Sequence, residues 1–401
     1  LDKLAKERNR ILDRWADADT LGLTAEEIAL NAYQRQHCFE FRFRDRGFNP
    51  PVAARNSISV SMHNPRFSAA LWAVNSEAYR RRGSLSRSQK EILALGVSLA
   101  NDCTHCAYLH TAMGEDVTFK ALYRFYKSKD PHAAFPISNG QDPLNNKLAS
   151  WSIKHRDREG REHVMPCTPE QVPEVLGTAM LFAIQNRVVD SFVSKLEVGP
   201  TFPPLIRMMM KLTPKSPTIQ RLMSCMMSVM MDNHDGKVRA GQVLKEINKV
   251  TPIVQGIEGC TDDTPLELPR ELLWARCDPE IRAAVFFLAT EAELMAKTFV
   301  PKVLIVYMKS WISNWDGGKA PRGPHEDWLA PAVKESALSR EDNSAVAMLR
   351  LMLVTVVASY TIDEDLLSEC QEYHGFRGTH AAVHWAAFLA AQRMCQLAVA
   401  V

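Results

Sequence analysis

The chain has 401 residues, 46% of them hydrophobic and 23% charged, with a formal net charge of +2. That is the balance of a globular protein large enough for two or three domains. It gives no reason to expect nucleic acid or an anionic membrane as a partner. No run of about eighteen apolar residues marks a transmembrane helix, and no secretory leader is recognisable. Nine cysteines, an odd number scattered apart from one close pair, do not form a disulfide framework and suit a reducing cytoplasm.

Nearly every element reads as helix. Leu4, Ile11, Leu12 and Trp15 are at helical spacing over residues 2–17. Thr24-Ala-Glu-Glu27 is a capping box that opens a second helix through about Gln36. Phe39–Phe48 alternates aromatic and charged residues and is the one strand-like segment. Helices are predicted over Pro65–Arg82, Arg87–Ala100, Cys103–Met113, Val117–Ser128, Asn145–His155 and Pro169–Leu196. Arg80, Arg81 and Arg82 read as a solvated helix end, and Arg187 as one half of an internal ion pair, for example with Asp190. Eight methionines in Met208–Met231 read as adaptable apolar packing, because no regularly spaced His or Cys lies among them. His37 with Cys38, and His155 and His163 with Cys167, lack ligand spacing and are taken as structural; no metal is expected.

Three pairs of segments resemble one another at offsets of about 206–214 residues: Pro65–Val74 with Pro279–Leu288, Ile92–Ser98 with Val303–Lys309, and Ala179–Arg187 with Trp385–Arg393. They suggest a diverged internal repeat. At an offset of 211, Glu91 falls on Lys302, Cys103 on Asn314, Cys106 on Gly317 and His110 on Pro321. The second copy would keep the scaffold and lose the chemistry.

That chemistry is concentrated in residues 91–110. On a helix Cys103, Cys106 and His110 are spaced i, i+3, i+7 and share one face. Asp102 is a candidate N-cap that would place Cys103 in the first turn, where free N–H groups and the helix dipole favour a thiolate. His110 could then exchange a proton with Cys106. Glu91 lies twelve residues before Cys103, about 18 Å along an unbroken helix, so it can join the thiols only if the chain turns back near Asn101-Asp102. A zinc site with one further ligand and inert core cysteines stay open as readings of the pair. Haem attachment is excluded, because Ala107 and not histidine follows Cys106.

The pattern Glu91-x11-Cys103-Thr-His105-Cys106-x3-His110 resembles the AhpD-like (alkylhydroperoxidase D) branch of the carboxymuconolactone decarboxylase superfamily. The likeness extends to Phe182-Ala-Ile-Gln-Asn186-Arg187, where that family carries a long helix with Asn-Arg. It covers about residues 60–196 well and 275–396 weakly. The resemblance implies an all-α fold, which together with the internal repeat becomes two AhpD-like lobes from a diverged duplication. Residues 1–55 would be a helical extension, 56–199 the lobe with the motif, 200–270 a methionine-rich linker and 271–401 a degenerate lobe. It further implies a thiol-dependent peroxidase or disulfide oxidoreductase, an antioxidant enzyme of the cytoplasm. Cys106 would attack the peroxide, Cys103 resolve the sulfenate, and His110, Glu91 and His105 move the proton. No cofactor beyond the dithiol is implied. The partners would be a hydroperoxide or other small molecule and a dithiol donor, with neither nucleic acid nor membrane, in a homo-oligomer. A lactone decarboxylase or other biosynthetic step using Glu91 and His110, and a non-catalytic redox sensor, are the rival functions.

Overall fold

The computed structural model describes residues 22–37, 63–103, 106–107, 110, 143–154, 164–192, 238–251, 268–320, 325–336, 338 and 342–399. The helices expected over 2–17 and Val117–Ser128, the strand-like Phe39–Phe48 and the methionine-rich segment lie outside these residues. Everything regular within them is helical, and no strand occurs among the described residues. The fold is all-α, as expected.

Local sequence sets the helix starts. Helix α1 (Ala25–His37) opens on the capping box: the Glu27 N–H donates to Thr24 Oγ1 at 3.2 Å, and the Thr24 N–H to Glu27 Oε2 at 2.9 Å. Helix α2 (Pro65–Val74) begins with proline, whose missing N–H costs nothing there. It does not run on as an α-helix to Arg82. Residues Asn75–Arg80 widen into a π-helical stretch, closed by the Arg81 N–H donating to the Ser76 carbonyl at 2.8 Å. Helix α3 (Arg87–Ala100) has its own capping box at Ser86 and Gln89, and matches its expected bounds.

Two further helices complete the surroundings of the motif. Helix α4 (Pro143–Lys154) packs closely on α3. Helix α5 (Val172–Phe192) is buried nearly all round, its polar Asn186 and Arg187 included, and touches α3 and the π stretch. After α6 (Gln242–Val250) and a 3₁₀ stretch (Arg270–Cys277) comes α7 (Pro279–Phe299), capped by Asp278. Then follow α8 (Lys302–Asn314), α9 (Glu326–Glu335), α10 (Asn343–Ala358) and α11 (Glu364–Val399). Helix α11 kinks at Gly375, whose φ of +63° favours glycine. By length and composition Asn343–Thr361 could cross a bilayer, a property missed in the sequence reading, but most of it is buried against its neighbours, as in a core helix.

A continuous apolar core runs from Leu30 to Cys395. Two of the three helix pairs related by the repeat offset lie side by side, α2 on α7 and α5 on α11. Between them sit His63, His380 and His384, all buried, with Phe192 stacked on His380 at 4.0 Å. Burial, with the charge of Arg377 adding to it, lowers the His63 pKa to about 4. Burial together with His63 lowers that of His384 to about 3. Both rings are therefore neutral members of the core at pH 7.

Arg80 and Arg81 are not solvated, contrary to expectation. Arg80 is buried over the Trp72 ring, its Cζ 5.0 Å from the centroid. Arg81 reaches across to Asp278 and, at 3.3 Å, to Glu280. Arg81 reads as part of a polar helix end because, besides Glu77 one turn back, its acidic partners lie almost two hundred residues away. Only Arg82 is exposed.

The tightest approach in this frame is at Gly96, where an added Cβ would fall 1.8 Å from Ser152 Oγ and 2.7 Å from Ser152 Cβ. Gly96→Ala is expected to destabilise the protein by about 1–3 kcal/mol through overpacking of α3 on α4. Chemical denaturation of the two proteins, compared by midpoint, measures this.

Candidate functional site

The site is built where α3 ends. Asn101 caps the helix, and Asp102 has a φ of +59°, the one positive value among the described non-glycine residues. The Asp102 N–H donates to the Leu99 carbonyl at 3.1 Å and the Cys103 N–H to the Ser98 carbonyl at 3.0 Å. This is the paired bonding of a helix that stops on a left-handed residue, a role that Asp and Asn fill more readily than most side chains. The chain reversal demanded by the sequence therefore exists. Asp102 is not the N-cap of the next helix, however. The Ala107 N–H donates to the Cys103 carbonyl at 2.9 Å, so Cys103 itself takes the cap position and Cys106 falls in the first turn. The error is one residue: Asp102 is consumed by ending α3.

Cys103 and Cys106 are joined as a disulfide, with Cα atoms 5.5 Å apart. Cys103 is fully buried and Cys106 is 6% exposed. Val189 of α5 packs against both. His110, one turn beyond Cys106, is brought back onto α3: its Nδ1–H donates to Glu91 Oε2 at 2.8 Å. Both groups are buried. His105 lies outside the described residues.

Three more residues complete the arrangement, of which Tyr79 and Arg87 were not singled out in the sequence and Phe182 only as part of the family likeness. The Tyr79 hydroxyl donates to Glu91 Oε1 at 2.6 Å. Arg87, one turn before Glu91, pairs with the same oxygen, donates to the Tyr79 hydroxyl at 3.0 Å and lies over the Tyr79 ring at 4.4 Å. Phe182 meets the His110 ring edge-on at 4.4 Å and the Tyr79 ring at 4.8 Å. The Arg87–Glu91 spacing of four residues was a readable signal. Tyr79 carried none, since it comes from the π stretch.

Burial alone would raise the Glu91 pKa. Arg87, the His110 hydrogen bond and charge, and the Tyr79 hydroxyl outweigh it and hold the carboxyl down at about 2. Glu91 is thus a fixed anion. With the Nδ1 proton directed at it, the neutral His110 tautomer leaves Nε2 as the basic nitrogen.

The Asn186-Arg187 pair of α5 is structural. Asn186 Oδ1 accepts from the Ser98 hydroxyl at 3.2 Å, next to the reversal. Arg187, fully buried, donates through Nη2 to the Val356 carbonyl at 3.1 Å and through Nη1 to the Ala183 carbonyl at 2.8 Å. Its guanidinium thus serves backbone carbonyls. Asp190, the expected ion partner, accepts from the Ser359 hydroxyl at 3.0 Å. Among the described residues no group of three or more His, Cys, Asp or Glu is arranged to hold a metal.

Residues 65–117 match the model of the carboxymuconolactone decarboxylase family, the superfamily that includes the AhpD-like proteins. The matched segment holds Tyr79, Arg87, Glu91, Cys103, Cys106 and His110 together. Comparisons with curated proteins and with solved structures give no match.

The depressed Glu91 pKa has a definite acid signature. Its folded value lies below the ordinary 4.5, so the stabilisation is complete above pH 4.5 and is lost as the pH falls towards 2. At neutral pH it amounts to about 3 kcal/mol. The stability gap between the protein and Glu91→Gln, measured by denaturant titration, is expected to be widest above pH 5 and to close on acidification. Taking the difference removes the acid sensitivity contributed by His63 and His384.

Proposed function

We propose that the protein is a thiol-dependent peroxidase or disulfide oxidoreductase acting through Cys103 and Cys106. The observation that carries this reading is the bonded cysteine pair one helical turn from a histidine whose other nitrogen is tied to a buried, permanently ionised glutamate.

In the reduced enzyme His110 Nε2 takes the Cys106 proton. The thiolate attacks the outer oxygen of a hydroperoxide, the O–O bond breaks, and the alkoxide leaves with the proton held on His110. Cys106 becomes a sulfenic acid. Cys103 attacks its sulfur, the oxygen departs as water, and the disulfide forms. A dithiol donor supplies two electrons and two protons to restore the pair. The residual exposure of Cys106 and the full burial of Cys103 favour Cys106 as the residue that meets substrate. Glu91, already anionic and saturated with donors, acts as the orienter of His110 and partner of its imidazolium rather than as a proton carrier. Tyr79 and Arg87 keep it so.

The second reading is a decarboxylase-type reaction in which the His110–Glu91 pair does acid–base work and the cysteines are bystanders. The family match over residues 65–117 favours it as well. Variants separate the two. Under the thiol reading Cys106→Ser abolishes peroxide-dependent oxidation of a dithiol, while Glu91→Gln slows it by about 10²-fold. Peroxide-dependent turnover that survives Cys106→Ser would falsify the thiol reading. An activity lost in Glu91→Gln yet untouched by both cysteine substitutions would establish the other.

A further inference from the structure

We propose that Lys319, from the half of the chain without the motif, is a positioning residue for the thiol pair that acts through Asp102. The inference rests on reading Cys103–Cys106 as a redox couple.

The left-handed residue that ends α3 carries a carboxylate next to Cys103. That carboxylate is paired with Lys319, which lies 217 residues along the chain. Neither side chain is freely solvated: Lys319 is 27% exposed and Asp102 35%. The lysine stands on a braced segment rather than on a loose arm. The Trp315 indole N–H donates to the Gly318 carbonyl at 2.9 Å, and the Gly318 N–H to Asp316 Oδ1 at 2.9 Å. Gly317 takes a φ of +88°, which glycine alone adopts readily. From outside the segment, Arg393 of α11 donates to the Trp315 carbonyl at 3.0 Å, and the Ala320 N–H donates to the Val357 carbonyl at 3.3 Å. The next carbonyl back, Val356, is the one that Arg187 of α5 holds, two residues from the Val189 that packs on the sulfurs. The lysine and the apolar wall of the thiols are thus fixed by one frame.

The consequence is electrostatic. With Lys319 present, the Asp102 carboxylate is compensated. Without it, an uncompensated negative charge adjoins Cys103 at the start of the thiol helix, where it opposes formation of a thiolate. The reduced pair loses stability and the disulfide becomes harder to reduce.

The test is a redox titration of the whole chain in a glutathione buffer, in which two glutathione thiols supply the electrons and protons. The unmodified protein is titrated first. Lys319→Met is expected to lower the equilibrium constant for reduction by about threefold, the effect of a partly exposed ion pair. For this two-electron couple that is about 14 mV. Lys319→Arg should titrate as the parent does. Asp102→Asn, which keeps a side chain tolerant of the left-handed conformation, should restore the parent value when combined with Lys319→Met. Circular dichroism confirms folding, and Lys319→Gln replaces the methionine variant should that one unfold. An unmoved Lys319→Met, or a double variant as displaced as the single one, overturns the inference. No peroxide enters the titration, so these outcomes are independent of the peroxidase reading. A parent protein whose cysteines do not titrate reversibly overturns both.

Discussion

Glu91 and His110 stand nineteen residues apart in the chain and 2.8 Å apart in space, and the left-handed turn at Asp102 closes that gap. Had α3 continued, Glu91 would sit about 18 Å from the cysteines. Stopping it takes two backbone bonds, from Asp102 to Leu99 and from Cys103 to Ser98, which satisfy carbonyls that a helix end would otherwise leave bare. Ser98 serves twice, since its hydroxyl also reaches Asn186 on α5. The reversal is therefore anchored to the central helix of the fold.

The turn creates a burial problem that the rest of the site solves. It brings a carboxylate and an imidazole together inside the protein, where a lone charge costs several kcal/mol. Glu91 meets this with three donors: Arg87 and Tyr79 on one oxygen, His110 on the other. Phe182 and Tyr79 then fix the plane of the histidine ring. Such a group does not need to move a proton to matter. Its charge fixes which nitrogen of His110 is free, and that selection is the chemical content of the pair.

Much of this was legible beforehand because it is local. The bounds of α3, the capping box at Thr24 and Glu27, and the need for a break at Asn101-Asp102 all follow from spacing within one segment. What escaped is non-local. Tyr79 reaches Glu91 only because the π stretch inserts an extra residue into a run that reads as ordinary helix, shifting the faces presented after it. Arg81 looked solvated because Asp278 and Glu280 arrive from the far end of the chain. The placement of Asp102 failed for a subtler reason. Aspartate suits both the start of a helix and a left-handed stop, and where two helices abut, only the backbone decides which helix it serves.

The half of the chain without the motif has a physical role whether or not it arose by duplication. Arg187 and Arg393 stand at matching positions of the proposed repeat, on helices packed together. Each spends its guanidinium on a backbone carbonyl of another element, Val356 for one and Trp315 for the other. Arg187 is fully buried, where an arginine is costly unless its donors are used, whereas Arg393 is half-buried. Both carbonyls belong to elements that hold the segment carrying the lysine facing Asp102. We read this half as a scaffold that braces the turn on which the motif depends. A chain with the motif-bearing half alone would lack such bracing. Here it is covalently supplied, at a fixed stoichiometry, by the same chain.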